Sequence, residues 1–255
     1  GVYASYYNEN DDLIVRVVDN TVYDEDNNIV DQLFDQPTTG YKLTNQMVIS
    51  PKDHDSRCEF NIFYVVITND NQASLRYATY NRYLKEIVDE VEIHNYNYSG
   101  NYYANWTFTL SDFIGNTNEQ RLYLVKTRCE DGRNSGDSIQ MLYFKGPRFR
   151  MTDVILYQVG DNIPDVGELE LSTDLSFIAY TNIQEVIVWE LIPTTGFFTV
   201  YYDVYANSTT GSRFVGLEIS DDNNFMYVSN NAGSIHKFEM TNPPYFQHVG
   251  GFNLY

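Results

Sequence analysis

Residues 217–230 read as a strand, a Ser-x-Asp bend and a second strand, and residues 169–182 repeat that reading 48 positions earlier. The same junction recurs at Ile49-Ser50, Leu110-Ser111, Leu171-Ser172 and Ile219-Ser220, with the serines spaced 61, 61 and 48 residues apart. An acidic residue follows each, at Asp53, Asp112, Asp174 and the pair Asp221-Asp222. Ser and Asp side chains bond to nearby backbone amides, which stabilises a reversal between antiparallel strands. Asn223 and Asn224 tolerate left-handed backbone angles better than most residues. Self-similar units of roughly 50 residues with several strands each point to a propeller or a linear array.

Three more strands are expected in each unit. Second strands fall at 60–67, 121–126, 176–180 and 225–229, and third strands at 74–80, 138–144, 185–191 and 234–240. Outer strands fall at 84–93, 153–158, 197–202 and 245–250. The run Val186-Ile187-Val188-Trp189 is apolar throughout, as a strand covered on both faces should be. The outer strands carry more Tyr, Glu and Asp, which protects an edge against pairing with another molecule. Residues 83–93 also show helical spacing at 84, 87, 88 and 91. β-branched Ile87, Val88, Val91 and Ile93, and the match to the outer strands, favour strand. At the N-terminus, residues 2–7, 13–19 and 28–34 match strands two, three and four. The expectation is a single all-β domain of four-stranded antiparallel blades at about 1–37 (lacking its inner strand), 41–95, 104–158, 167–204 and 211–255. Two packed sheets are the alternative. No spare strand closes the ring, so further repeats or another chain would complete it.

The chain has 255 residues, 43% hydrophobic and 16% aromatic, with 23 Tyr and 15 Phe, enough to bury a substantial core. The net charge of −19 disfavours phosphate-rich partners, so no nucleic acid and no membrane insertion are expected. No apolar run reaches the roughly 18 residues of a spanning helix. The chain starts at Gly1 with no Met and no signal core, which suggests a processed product or a piece of a longer protein.

The stretch from Ser220 to Asn230, ending Tyr227-Val228-Ser229-Asn230, resembles the YVTN-type β-propeller repeat. Ser172-Thr173-Asp174 with Ala179-Tyr180-Thr181-Asn182 matches it more loosely. Leu13-Ile14-Val15-Arg16-Val17-Val18-Asp19 resembles the third strand of LVIVD-type repeats, and Thr241-Asn242-Pro243-Pro244 with Val249-Gly250-Gly251 looks like their link and outer strand. The resemblance is strongest over the last two units and weak over the middle two. It implies a propeller used as an interaction scaffold in secreted or surface proteins, and names no ligand. The WD-repeat signature is absent.

Catalytic motifs are lacking. His54, His94, His236 and His248 form no sequence-local metal pair, so each reads as a surface or strand residue rather than a zinc ligand. The acidic loops Asp24-Glu25-Asp26-Asn27-Asn28 and Asp221-Asp222-Asn223-Asn224 offer oxygen ligands for calcium but read first as polar turns. Glu170 and Glu218 occupy matched inner-strand places, each after a Leu, and are the metal or catalytic candidates at a channel entrance. Cys58 and Cys129 map to opposite strand ends of neighbouring units, so no disulfide between them is expected. The sequons at Asn97, Asn105 and Asn207 are about as many as this Asn-rich composition gives by chance. The function expected is a non-enzymatic extracellular or cell-surface scaffold binding proteins or glycans, with no cofactor unless calcium. The alternatives are a hydrolase or calcium-binding propeller and a cytosolic scaffold.

Overall fold

The structure, a computed structural model, describes residues 2–34, 41–68, 72–97, 102–130, 133–134, 137–145, 149–159, 166–182, 185–206, 214–240 and 246–253. Among them no helix occurs, and the strands pair mainly in chain order into five sheets. The first sheet holds β1 (Tyr3–Tyr7), β2 (Leu13–Val18), β3 (Thr21–Asp24) and β4 (Ile29–Gln32). The second holds β5 (Tyr41–Pro51), β6 (Glu59–Thr68), β7 (Gln72–Asn81) and β8 (Glu86–Asn97). The third comprises β9 (Tyr102–Leu110), β10 (Glu119–Glu130), the short β11 (Arg133–Asn134), β12 (Asp137–Lys145) and β13 (Phe149–Val159). The fourth holds β14 (Val166–Leu171), β15 (Phe177–Asn182), β16 (Glu185–Leu191) and β17 (Phe198–Ala206), and the fifth β18 (Phe214–Ile219), β19 (Phe225–Asn230), β20 (Ser234–Glu239) and β21 (Gln247–Asn253). Five such sheets replace the two-sheet alternative, and residues 86–97 are strand.

The first sheet corrects the sequence reading. It has all four strands, in the order β1-β2-β3-β4, so residues 2–7 begin the blade and 13–19 form its second strand. β3 is only four residues long and follows β2 after the two-residue turn Asp19-Asn20, with Val18 paired to Thr21. Asp19 takes φ +55°, the left-handed angle that a tight hairpin of this kind needs at its first turn residue.

The recurrent serine closes the first hairpin of a blade. Ser172 N–H donates to Phe177 O (3.0 Å) and Phe177 N–H to Ser172 Oγ (2.9 Å). Ser220 and Phe225 repeat this at 2.9 and 3.0 Å. Ser111 does the same with Arg121, both bonds at 2.8 Å, across a longer bend. The second blade departs from the pattern. β5 runs on through Pro51, Ser56 Oγ accepts Glu59 N–H at 3.2 Å, and Ser50 Oγ accepts Gln120 Nε2–H at 2.8 Å. Bends of neighbouring blades are joined by an asparagine. Asn223 Oδ1 accepts Thr173 N–H (3.0 Å), and Asn118 Oδ1 accepts His54 N–H (2.9 Å).

The chain divides into two compact units, with the boundary running through the third sheet. In the first unit (1–106, 112–120 and 143–150), Val15, Val17 and Val22 of the first blade pack with Ile62, Tyr64 and Tyr80 of the second. Tyr64 OH donates to Leu33 O at 3.0 Å. At the outer turns Lys85 Nζ lies 2.8 Å from the buried Asp24 carboxylate and 3.3 Å from that of Asp26.

In the second unit (107–111, 121–142 and 151–255), Ala179, Val186 and Val188 of the fourth blade pack with Leu217, Met226, Val228 and Phe238 of the fifth. β16 buries both faces, as its unbroken apolar run requires: Val186, Ile187, Val188 and Trp189 are at most 2% exposed. Arg121, itself buried, donates to the carbonyls of Pro193 (2.6 Å) and Thr194 (2.9 Å) in the β16–β17 turn. Tyr123 OH donates to Gly196 O at 3.2 Å. Gly196 has φ +74°, and a Cβ there would lie 2.7–2.9 Å from Tyr123, Met141 and Arg121.

Two predictions follow from this packing. Gly196→Ala should destabilise the chain by about 3 kcal/mol through overpacking and a left-handed angle together. Gly115→Ala, at φ +59° with open space, should cost only about 1 kcal/mol. Urea midpoints of equal size for the two variants would contradict the tight turn. The second concerns acid. Burial raises the Asp24 pKa, but hydrogen bonds from Lys85 and Asn28 and the Lys85 charge outweigh it and bring it down to about 2. The stability this supplies is complete above the ordinary value of 3.8 and is lost as pH falls toward 2. Lys85→Met should therefore move the acid-unfolding midpoint, followed by circular dichroism, to higher pH.

Candidate functional site

β14 alternates glutamate and leucine over 168–171, and β18 repeats part of this as Leu217-Glu218-Ile219. Leu169, Leu171, Leu217 and Ile219 are buried, while Glu168, Glu170 and Glu218 belong to the opposite faces of their strands. Glu170 pairs across its ladder with Ala179, and Glu218 pairs with Tyr227, one blade later. The matched places inferred from sequence are therefore real, and β14 runs beside β18.

Glu168 joins them, and the sequence reading passed over it. A bulge between Val166 and Leu169 sets its backbone, with Glu168 N–H donating to Thr181 Oγ1 at 2.9 Å. Its Oε2 reaches the next blade and accepts Leu217 N–H at 2.7 Å. Gly216 stands where the repeat would place the counterpart of Glu168, and a Cβ there would sit 3.6 Å from that Oε2 and 2.5 Å from Ser229 Oγ. The alternation Glu168-Leu169-Glu170-Leu171 was the available signal.

Burial is the main cause of the unusual acidity here. It raises Glu170, further raised by the charges of Glu218 and Glu168, up to about 8. Glu168 is also raised, by burial and by Glu218, against the Leu217 amide that lowers it. Glu218 is raised by burial and Asp221. A carboxyl shifted this far favours its protonated form at neutral pH, and in that form it can donate a hydrogen bond where an ordinary carboxylate only accepts. Such a group suits an acid, a proton-releasing cation site or a recognition contact.

The two acidic loops are turns with committed carboxylates. Asp24 accepts the amides of Asp26 (3.0 Å) and Asn28 (2.8 Å) as well as Lys85. Asp222 accepts Ser220 Oγ–H (2.6 Å) and Asn224 N–H (3.0 Å). Among the described residues no three His, Cys, Asp or Glu side chains converge as metal ligands. The histidines differ from expectation in one respect. His236 on β20 and His248 on β21 meet across strands, Nδ1 to Nε2 at 3.3 Å. A pair twelve residues apart is invisible to a search for helical or loop spacing. His54 lies 3.3 Å from Asp55, and His94 stacks on Trp106. Cys58 is a free, half-buried thiol, and the Cys129 side chain lies outside the described residues. So do Asn207 and the link 241–244.

The raised Glu170 gives a signed expectation. A carboxyl that holds its proton more tightly when folded favours folding at low pH, and that contribution is lost as pH rises from 4.5 through about 8. Thermal unfolding should show the wild type weakening over this window by more than Glu170→Gln, in which only the raised Glu168 and Glu218 still contribute. Parallel pH profiles for the two proteins would contradict the buried, protonated carboxyl.

No protein-family model matches the sequence, and no curated protein sequence matches it either. Solved structures do. A luciferin-regenerating enzyme aligns at 13% identity over 98% of this chain and 75% of its own, with a TM-score of 0.56. The Dos1 propeller aligns at 10% identity over 95% of this chain, with a TM-score of 0.52, and a chain of an active polycomb repressive complex 2 in the basal state at 9% over 83%, with 0.50. This chain spans 60% of the Dos1 chain and 40% of the polycomb complex chain. The likeness fixes the fold and leaves the repeat type open. The one LVIVD-like run at 13–19 is a second strand here, not a third. The chain is an all-β propeller segment of four-stranded antiparallel blades.

Proposed function

We propose that this chain is a non-enzymatic binding scaffold whose acidic inner-strand face takes a cationic segment of a protein partner. The observation that carries this is the placement of Glu168, Glu170 and Glu218 on adjacent first strands, with the Glu170 pKa raised to about 8 by burial and by its acidic neighbours. An arriving guanidinium would offset both the repulsion and the desolvation, and Glu170 would ionise on binding. The net charge of −19 would draw a basic partner toward the chain. Protein partnership also fits a fold shared with a chain of a polycomb repressive complex, although the same fold occurs in a luciferin-regenerating enzyme. Glycan partners and a secreted or cell-surface setting extend this reading; they rest on the resemblance to propeller repeats of secreted and surface proteins.

A second reading is a calcium-binding or hydrolytic carboxylate site, favoured by one specific observation, the rise of Glu170 to about 8 beside the less buried Glu218. Calorimetry with an arginine-rich peptide and, separately, with Ca²⁺ distinguishes the two. The scaffold reading expects the peptide to bind up to about a hundredfold more tightly at pH 9 than at pH 6, and Glu170→Gln to remove most of that difference. Saturable Ca²⁺ binding lost in Glu170→Gln or Glu218→Gln, with no peptide binding, would establish the second reading instead.

A further inference from the structure

We propose that His236 Nδ1 and His248 Nε2 form a two-imidazole chelate for a divalent transition-metal ion of the Zn²⁺, Ni²⁺ and Cu²⁺ class. The two nitrogens stand 3.3 Å apart on neighbouring strands of the last blade. Two ligands at the usual Zn–N length of about 2.05 Å, subtending a tetrahedral angle, are about 3.4 Å apart. The spacing on β20 and β21 is thus already that of one edge of a coordination tetrahedron.

The strand register creates this edge. His236 lies opposite Gly251 and Phe238 opposite His248, with an irregularity between Lys237 and Phe238 that shifts the register between these two pairs. Aromatic neighbours flank both rings. Phe214 meets His236 edge-on at 6.2 Å and 84°, and Phe238 lies 5.2 Å from His248 at 56°. Gly251 is required by the backbone beside the pair: a Cβ there would lie 2.9 Å from the Ile235 carbonyl oxygen and in ordinary contact, at 3.8 Å, with His236 Nδ1. His248 is exposed and His236 half-buried, so an ion can reach the pair from solvent. Coordination through Nδ1 of one ring and Nε2 of the other leaves His236 Nε2 and His248 Nδ1 as N–H donors. Two protein ligands leave two positions of a tetrahedron to water or to a donor from a partner, so the chelate is an open site rather than a structural clasp.

Donor chemistry separates this site from the acidic surface. Imidazole suits Zn²⁺, Ni²⁺ and Cu²⁺, whereas Mg²⁺ and Ca²⁺ take oxygen ligands. Titration with Zn²⁺ alone, in excess Mg²⁺ to occupy carboxylates, should show one saturable equivalent. His236→Gln and His248→Gln should each weaken it at least about tenfold, while His54→Gln leaves it unchanged. Nitrogen-resolved NMR of the wild-type imidazoles should place the metal shift on His236 Nδ1 and His248 Nε2. The outer position of His248 makes its variant the better folded control. Wild-type affinity in either variant, no saturable Zn²⁺ binding in excess Mg²⁺, or shifts on the opposite nitrogens would overturn the proposal.

Discussion

A single hydroxyl at the end of the first strand organises each well-formed blade. In the fourth and fifth blades, Ser172 and Ser220 accept the amide of the residue five positions on, and their own amides donate to that residue's carbonyl. The chain is thereby turned back in register at the point where a strand ladder would otherwise fray, and buried polar backbone groups must find partners. Everything downstream inherits that register. The leucines of β14 and β18 go into the core, the glutamates go to the other face, and the bends come close enough for Asn223 to bind Thr173.

That alternation also explains the chemistry of the carboxylates. Nothing in an isolated hairpin would raise a glutamate to about 8. Burial between packed blades and the charges of Glu218 and Glu168 do so. A glycine at 216, where a side chain would collide with Ser229, leaves Glu168 free to reach the amide of Leu217. The acidic face is therefore a product of packing as much as of composition.

Much of this was readable from residues alone. The serine junctions located the first strands, and apolar runs such as Val186-Ile187-Val188-Trp189 located strands buried on both faces. Glu170 and Glu218 were visible because the repeat aligns them. What was missed has a common cause in short or cross-strand geometry. β3 has four residues and a two-residue turn, too little for a periodic signal, so the first blade was read one strand short. Ser50 looks like the other serines, yet Pro51 and Lys52 carry its strand and bend onward, and Ser56 takes over the closing role. The His236–His248 contact depends on strand pairing and a register shift, which no spacing along the chain reveals.

The equivalence of the serine bends is the claim on which the blade assignment and the acidic face both stand. Amide hydrogen exchange in wild type, Ser172→Ala and Ser220→Ala measures it directly. The account predicts protected Phe177 and Phe225 amides, each lost only in its own variant, with a similar stability cost of about 1 kcal/mol per hydroxyl. Unprotected amides in the wild type, or one serine that matters while the other does not, would contradict it.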